Sequence, residues 1–307
     1  MILLCGIPSE GPLARVREEL DALEVAYVLF NQRRFDDIEM AFTVWEGGVS
    51  GWLRIGMQSY RLEDFAGVYT RVMDDRLLPE LQAEPPWSPR RSACRALHDT
   101  LVRWYEVAPG RVVNRSGPMG SNASKPYQAQ LIRQHGFKVP QTLVTNDPEL
   151  VRAFYQEHGR VVYKSISGVR SIVQTLQQRD LERVERVRWC PIQLQAYVEG
   201  LDVRVHVVDS KVFATAVRST ATDYRYATRD PGGTAELEAI DLPDDLAERC
   251  ITLATALRLP FAGIDLKLTP EGEPFCFEVN PSPAFSYYEG HTGQPIARAV
   301  ARYLLDG

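Results

Sequence analysis

Residues 263–267, Gly-Ile-Asp-Leu-Lys, and 275–279, Phe-Cys-Phe-Glu-Val, both show the apolar–polar alternation of strands buried on one face. Between them, 269–274 read Thr-Pro-Glu-Gly-Glu-Pro, a run of turn formers, so the two segments predict a β-hairpin. Folded about its middle, the hairpin sets Asp265 across from Glu278 on one face, with Asn280 two residues further on. Like charges directly opposed on a sheet are destabilising, by about 0.2–1 kcal/mol even when exposed. A hard divalent cation offsets that repulsion: Mg²⁺ accepts carboxylate and amide oxygens and keeps positions for phosphate oxygens. The hairpin therefore points to a metal–nucleotide site; a solvated acidic hairpin is the plainer alternative.

Composition narrows the classes. At 307 residues the chain exceeds one small core and suits two or three lobes. A formal net charge of −5 argues against a general binder of nucleic acid or of membrane surfaces. No apolar run reaches the roughly 18 residues of a membrane-spanning helix. The opening Met-Ile-Leu-Leu-Cys-Gly lacks the basic leader and the length of a signal peptide. Cys5, Cys94, Cys190, Cys250 and Cys276 are scattered without metal-ligand spacing, as expected of reduced thiols in a cytoplasmic protein. By simple alternation Cys276 shares the face of Glu278, although a packed thiol is the expected reading. Lysine stands only at 125, 138, 164, 211 and 267 in an arginine-rich chain, which singles out Lys125 and Lys164 as point charges worth following.

The hydrophobic pattern predicts three lobes. Residues 1–113 open β-α-β, with Leu13, Val16, Leu20 and Leu23 at helical spacing, strands near 42–45, 52–55 and 67–71, and a helix near 92–105. Residues 114–198 carry a helix after Ser124, strands at 139–144, 160–164 and 192–198, and a Ser/Gly-rich loop at 165–171. Residues 199–307 hold strands at 203–208 and 211–218, a helix around 246–257, the hairpin, and one closing amphipathic helix from Thr292 to Leu305. Lys164, at a strand end before the small-residue loop, places a positive charge beside backbone amides able to meet phosphate. Taken alone it reads rather as a surface lysine on an ordinary flexible hairpin.

The tail of the hairpin, Glu278-Val279-Asn280-Pro281-Ser282-Pro283, resembles the ATP-grasp superfamily, whose last metal ligands are an Asp on one strand and a Glu-x-Asn on the next. Within it the chain looks closest to the RimK-like ribosomal-protein glutamate ligases and to the ATP-grasp maturases of ribosomally made peptides. The resemblance spans roughly two-thirds of the chain and implies an α/β ATP-grasp fold behind an N-terminal pre-ATP-grasp domain. It implies ATP and Mg²⁺ as cofactors, two ions being expected and Mn²⁺ being an alternative, held by Asp265, Glu278 and Asn280. Lys125, Lys164 and the loop residues Ser167 and Gly168 are implied as nucleotide contacts. The strand with Gln195, Ala196, Tyr197 and Val198 would read the adenine edge through backbone groups, and Asp202 would bind the ribose. Ala196 stands where the family usually has Glu. Arg218 and Arg225 are implied to meet the transferred phosphate. The Asp223-Tyr224-Arg225 element matches the glutamate ligases, but Tyr226-Ala227 replaces their Ser-Asn.

The implied reaction is ATP-dependent joining of a carboxylate to an amine, or to a hydroxyl, through an acylphosphate with release of ADP. Both a small molecule and a peptide are compatible substrates, with acceptor specificity expected in 69–71, 223–230 and 282–291. There Ser282, Phe285, Tyr287, Tyr288 and His291 form an aromatic rim that suits either a peptide or packing between lobes. No G-x-S-x-G nucleophile motif or metal-spaced histidine set competes with this reading. An ATP-grasp kinase and a non-catalytic ATP-sensing or scaffold protein are the alternatives. A homo-oligomer is compatible with the sequence.

Overall fold

The computed structural model describes residues 1–165, 174–219 and 235–306. The first lobe begins with β1 (Ile2–Gly6), α1 (Gly11–Ala22) and β2 (Tyr27–Asn31). α1 starts where the Glu10 side chain accepts the Leu13 amide at 3.0 Å, with Pro12 placed where a missing N–H costs nothing. Its stripe of Leu13, Val16 and Leu20 is buried. An antiparallel sheet follows, made of β3 (Ile38–Trp45), β4 (Gly48–Ile55) and β5 (Gln58–Arg61). β5 has no counterpart in the hydrophobic pattern, because Gln-Ser-Tyr-Arg lacks an apolar alternation. β6 (Gly67–Arg71), α2 (Pro89–Val107) and β7 (Arg111–Val113) complete a parallel sheet of order β2-β1-β6-β7. Ser88 caps α2 through the Arg91 amide.

Next come α3 (Ser116–Met119) and α4 (Lys125–Gln134), then β8 (Thr142–Thr145), α5 (Pro148–His158), β9 (Val161–Ser165), β10 (Gln174–Thr175) and β11 (Ile192–Ala196). These strands form a small antiparallel sheet, order β10-β9-β11-β8, over a core of Val151, Phe154, Val161 and Leu194. A 3₁₀ segment, Gln178–Arg188, seals it with Val184 and Val187.

The largest sheet is antiparallel, order β14-β13-β12-β15-β16, from β12 (Leu201–Val208), β13 (Lys211–Ser219), β14 (Ala235–Ile240), β15 (Phe261–Leu268) and β16 (Pro274–Asn280). One face presents Val203, Val205, Val207, Ile264, Leu266 and Val279 to α4 and to α6 (Asp244–Ala256). Full burial of such aliphatic side chains contributes about 1.5–3 kcal/mol each. Two helices, not one, close the chain: α7 (Ser286–Thr292) and α8 (Ile296–Leu305). Gly293 ends the first at φ 71° and Pro295 precedes the second, so the expected continuous helix from Thr292 is interrupted. The apolar side of α8 (Ile296, Val300, Leu304) packs with Leu13, Val16 and Leu20 of α1, closing the first lobe against Phe261 and Phe285.

Candidate active site

The five-stranded sheet carries a row of directly paired residues across its width: Ala239, Thr215, Arg204, Asp265 and Glu278. Asp265 and Glu278 thus face each other in register, as the hairpin pattern predicts. The register then shifts. Leu266 pairs with Cys276, which makes Phe277 the extra residue of a β-bulge. A bulge re-aims side chains: here both carboxylates face one way, while Leu266 and Cys276 turn into the core. Cys276 therefore leaves the Glu278 face on which plain alternation puts it. Burial drives its thiol well above the usual range.

Each carboxylate has a cation. Arg204 Nη1 lies 2.6 Å from Asp265 Oδ1, and Lys125 Nζ lies 3.1 Å from Glu278 Oε2. Arg204 is 6% exposed, and its guanidinium fills space that Gly263 leaves open: a Cβ there would sit 2.1 Å from Nη2. Lys125, first residue of α4, also donates to Asn122 Oδ1 at 2.6 Å. Burial alone raises the Glu278 carboxyl, but Lys125, then Lys164 on β9 and Arg204, outweigh it and leave the group below its ordinary value. Glu278 is thereby kept as an anion, with cations from both the small sheet and α4 acting on it.

Asn280 pairs with Gly263, and its Oδ1 accepts the Ser282 amide at 2.9 Å, which fixes the direction of that oxygen. Ser282 Oγ in turn accepts Arg71 Nη1 at 2.7 Å, and Arg71 also donates to Glu10 and to the Pro283 carbonyl. The first lobe is so tied to the loop after the hairpin. Asp202 lies one row along from Arg204, with its Oδ1 3.2 Å from Lys267 Nζ. Tyr197 lies under two cations, the Arg160 guanidinium 3.4 Å and Lys267 Nζ 5.2 Å from its ring centre.

Several expectations need correction. The N–H groups of Ala196 and Tyr197 already donate to the Gln141 and Arg160 carbonyls, at 2.9 and 3.0 Å, so these two residues would meet a base through their carbonyls and not through their amides. Gln195 spends its side-chain amide on Thr142 Oγ1 at 3.1 Å. Arg218 stands on the opposite face of the sheet from Asp265 by strand alternation, more than half exposed and 3.5 Å from Glu238. The structure does not bring it to the carboxylate pair. Phe285 and Tyr288 of the aromatic rim are buried packing residues, Phe285 against Phe261 and Tyr288 against His206; Tyr287 remains 45% exposed beside His291. Ser167, Gly168 and Arg225 lie outside the described residues.

Three contributors went unnoticed in the sequence. Gln128, 1% exposed on α4, donates to the Val279 carbonyl at 2.8 Å and accepts its amide at 3.0 Å. A glutamine on the apolar stripe of a helix, beside Leu131 and Ile132, was the available signal. Asn114 donates to the carbonyls of Phe261 and Pro281 and accepts the Phe261 amide at 3.2 Å, joining the two ends of the hairpin region. His206, fully buried beside Arg204 and Tyr288, is held below its ordinary pKa by burial and then by the Arg204 charge.

Known proteins share this arrangement of chain. A family model described as the RimK-like ATP-grasp domain matches residues 123–304. A probable alpha-L-glutamate ligase of Photobacterium profundum is 28% identical over 216 residues, covering 67% of this chain and 70% of that protein. One from Marinobacter nauticus is 29% identical over 226 residues, covering 70% and 74%. Among solved structures, the ATP-grasp ligase PsnB complexed with minimal precursor, Mg and ADP has a TM-score of 0.79 at 29% identity, over 99% of this chain and 96% of that one. A Chryseobacterium gregarium RiPP-associated ATP-grasp ligase, in complex with ADP and a leader and core peptide, shares the fold at a TM-score of 0.83 and 22% identity, over 99% and 96%. Since the family model covers more than half of its length, the chain belongs to the RimK-like ATP-grasp family.

Proposed function

We propose that this protein is an ATP-dependent, ADP-forming carboxylate–amine ligase that acts on a peptide. The observation that carries the reading is the opposed pair Asp265 and Glu278, Asp265 ion-paired to Arg204 and Glu278 to Lys125, with Glu278 kept charged by Lys125, Lys164 and Arg204. The 29% identity to PsnB, whose complex holds a precursor, Mg and ADP, supports a peptide as substrate.

The donor chemistry fits Mg²⁺. Two carboxylates and an amide oxygen, the last oriented by the Ser282 amide, are hard oxygen ligands on neighbouring strands. Asp265, Glu278 and Asn280 would hold the metal, as two Mg²⁺ ions or Mn²⁺ in their place. Bound there, the metal supplies charge neutralisation and polarisation of the phosphate oxygens. Lys125 and Lys164 offset the remaining phosphate charge, Asp202 takes the ribose hydroxyls, and the Val198 amide reads the base. Ser167, Gly168 and Arg225 complete the phosphate contacts in this reading, and Arg218 does not.

Phosphoryl transfer needs mostly positioning and electrostatics, so no protein nucleophile is required. A substrate carboxylate oxygen attacks the γ-phosphorus while the bond to the β–γ bridging oxygen breaks and ADP leaves. The amine nitrogen then bonds to the acyl carbon, loses a proton, and inorganic phosphate departs. The test is ADP release from Mg-ATP by the purified protein with peptide and small-molecule fractions of source cells, with and without hydroxylamine. Stimulation by the peptide fraction and trapping of a hydroxamate are expected. A phosphorylated product that resists hydroxylamine would replace the ligase by a kinase, and nucleotide binding without turnover in either fraction would replace it by a sensor.

A further inference from the structure

We propose that Gln128 is a positioning residue for the metal ligands of β16. The inference rests on the reading of Glu278 and Asn280 as ligands. Val279 lies between them, and its side chain points into the core shared with α4 and α6. Its two backbone polar groups belong to the last strand of the sheet, where no further strand among the described residues pairs with them. Gln128 takes that place: its carboxamide donates to the Val279 carbonyl at 2.8 Å and accepts the Val279 amide at 3.0 Å. A side-chain amide so placed reproduces the paired bonds of a neighbouring strand over one residue.

The consequence follows from covalent geometry. With the Val279 backbone fixed, the side chains on either side of it, Glu278 and Asn280, project from a defined origin. One turn earlier on the same helix, Lys125 holds the Glu278 carboxylate itself. α4 therefore grips β16 twice, by backbone at Val279 and by charge at Glu278. The bulge at Phe277 makes this grip necessary, because it interrupts the regular ladder immediately before Glu278. Gln128 is 1% exposed, so water does not substitute for it easily.

The experiment is calorimetric titration of ADP with and without Mg²⁺ into the wild type, Gln128→Met and Glu278→Gln, with hydrogen exchange of the segment containing Val279. Methionine keeps the volume and removes both hydrogen bonds. Gln128→Met is expected to lose at least tenfold of the affinity that Mg²⁺ adds, to keep Mg²⁺-free ADP binding within twofold, and to exchange the Val279 amide faster. An unchanged Mg²⁺ increment overturns the inference. If Glu278→Gln also keeps that increment, the metal reading itself fails; if only Gln128→Met keeps it, the positioning role alone fails. Should Gln128→Met not fold, Gln128→Glu retains an acceptor for the Val279 amide and serves in its place. Should neither fold, the wild type decides: Mg²⁺ with ADP must protect Val279 more than ADP alone, and equal protection overturns the proposal.

Discussion

Arg204 and Asp265 stand directly opposite on neighbouring strands and share an ion pair of 2.6 Å, with the arginine buried and the carboxylate partly exposed. A charge this enclosed is tolerated because its partner is fixed, and removal of one partner leaves the other uncompensated. Arg204→Met is expected to lower unfolding stability by roughly 3 kcal/mol, read as a shift of the urea midpoint. Arg204→Lys should recover little, since the planar fork fits beside Gly263 and a point charge does not. Full recovery by lysine would contradict the account.

Glu278→Ala should separate function from folding. It removes a carboxylate opposed to Asp265 and leaves the partly exposed Lys125 to solvent, so stability should stay within about 1 kcal/mol. ADP release should fall by about a hundredfold or more. A variant with wild-type turnover sinks the assignment of this pair as the reaction centre.

Gly263→Ala tests the space around the guanidinium. A Cβ at 2.1 Å from Arg204 Nη2 and 2.7 Å from Pro283 Cβ has to displace one of them. Overpacking of this kind costs about 1–3 kcal/mol, and differential scanning calorimetry should show it as a lowered Tm. In a double-mutant cycle with Arg204→Met the two effects should not add, since the arginine clash is then already gone.

His206 makes stability depend on pH. Its folded-state pKa lies below the unfolded value, so only the unfolded chain takes up the proton near neutrality. This contribution is complete above about pH 6.5 and is lost as pH falls below it, at no more than about 1.4 kcal/mol per pH unit. Urea midpoints from pH 8 to pH 5 should decline more steeply for the wild type than for His206→Phe. Parallel curves would mean that His206 is not the group responsible.

The hairpin was legible because its two period-2 strands and turn formers fix the register that brings Asp265 to Glu278. The bulge was not, since Phe-Cys-Phe carries no sign of which residue is extra, and one extra residue reverses the face of Cys276. Lys125 and Lys164 stood out by composition, and both act on Glu278. Gln128, Asn114 and the burial of Arg204 depend on contacts between elements distant in sequence, which local pattern does not encode. The 3₁₀ segment before β11 escaped because most of its residues are charged, although Leu181, Val184 and Val187 recur at a spacing of three.

The seating of α8 against α1 has a consequence for the order in which the molecule matures. Strands and helices of the first lobe leave the ribosome early, and domains ordinarily fold as they emerge. Here the apolar stripe of Leu13, Val16 and Leu20 shares its cluster with Ile2 and Leu4 of β1, but that cluster is completed only when Ile296, Val300 and Leu304 have been made. The nascent first lobe must remain unsealed, a ready client for chaperones, through synthesis of nearly the whole ligase portion of the chain.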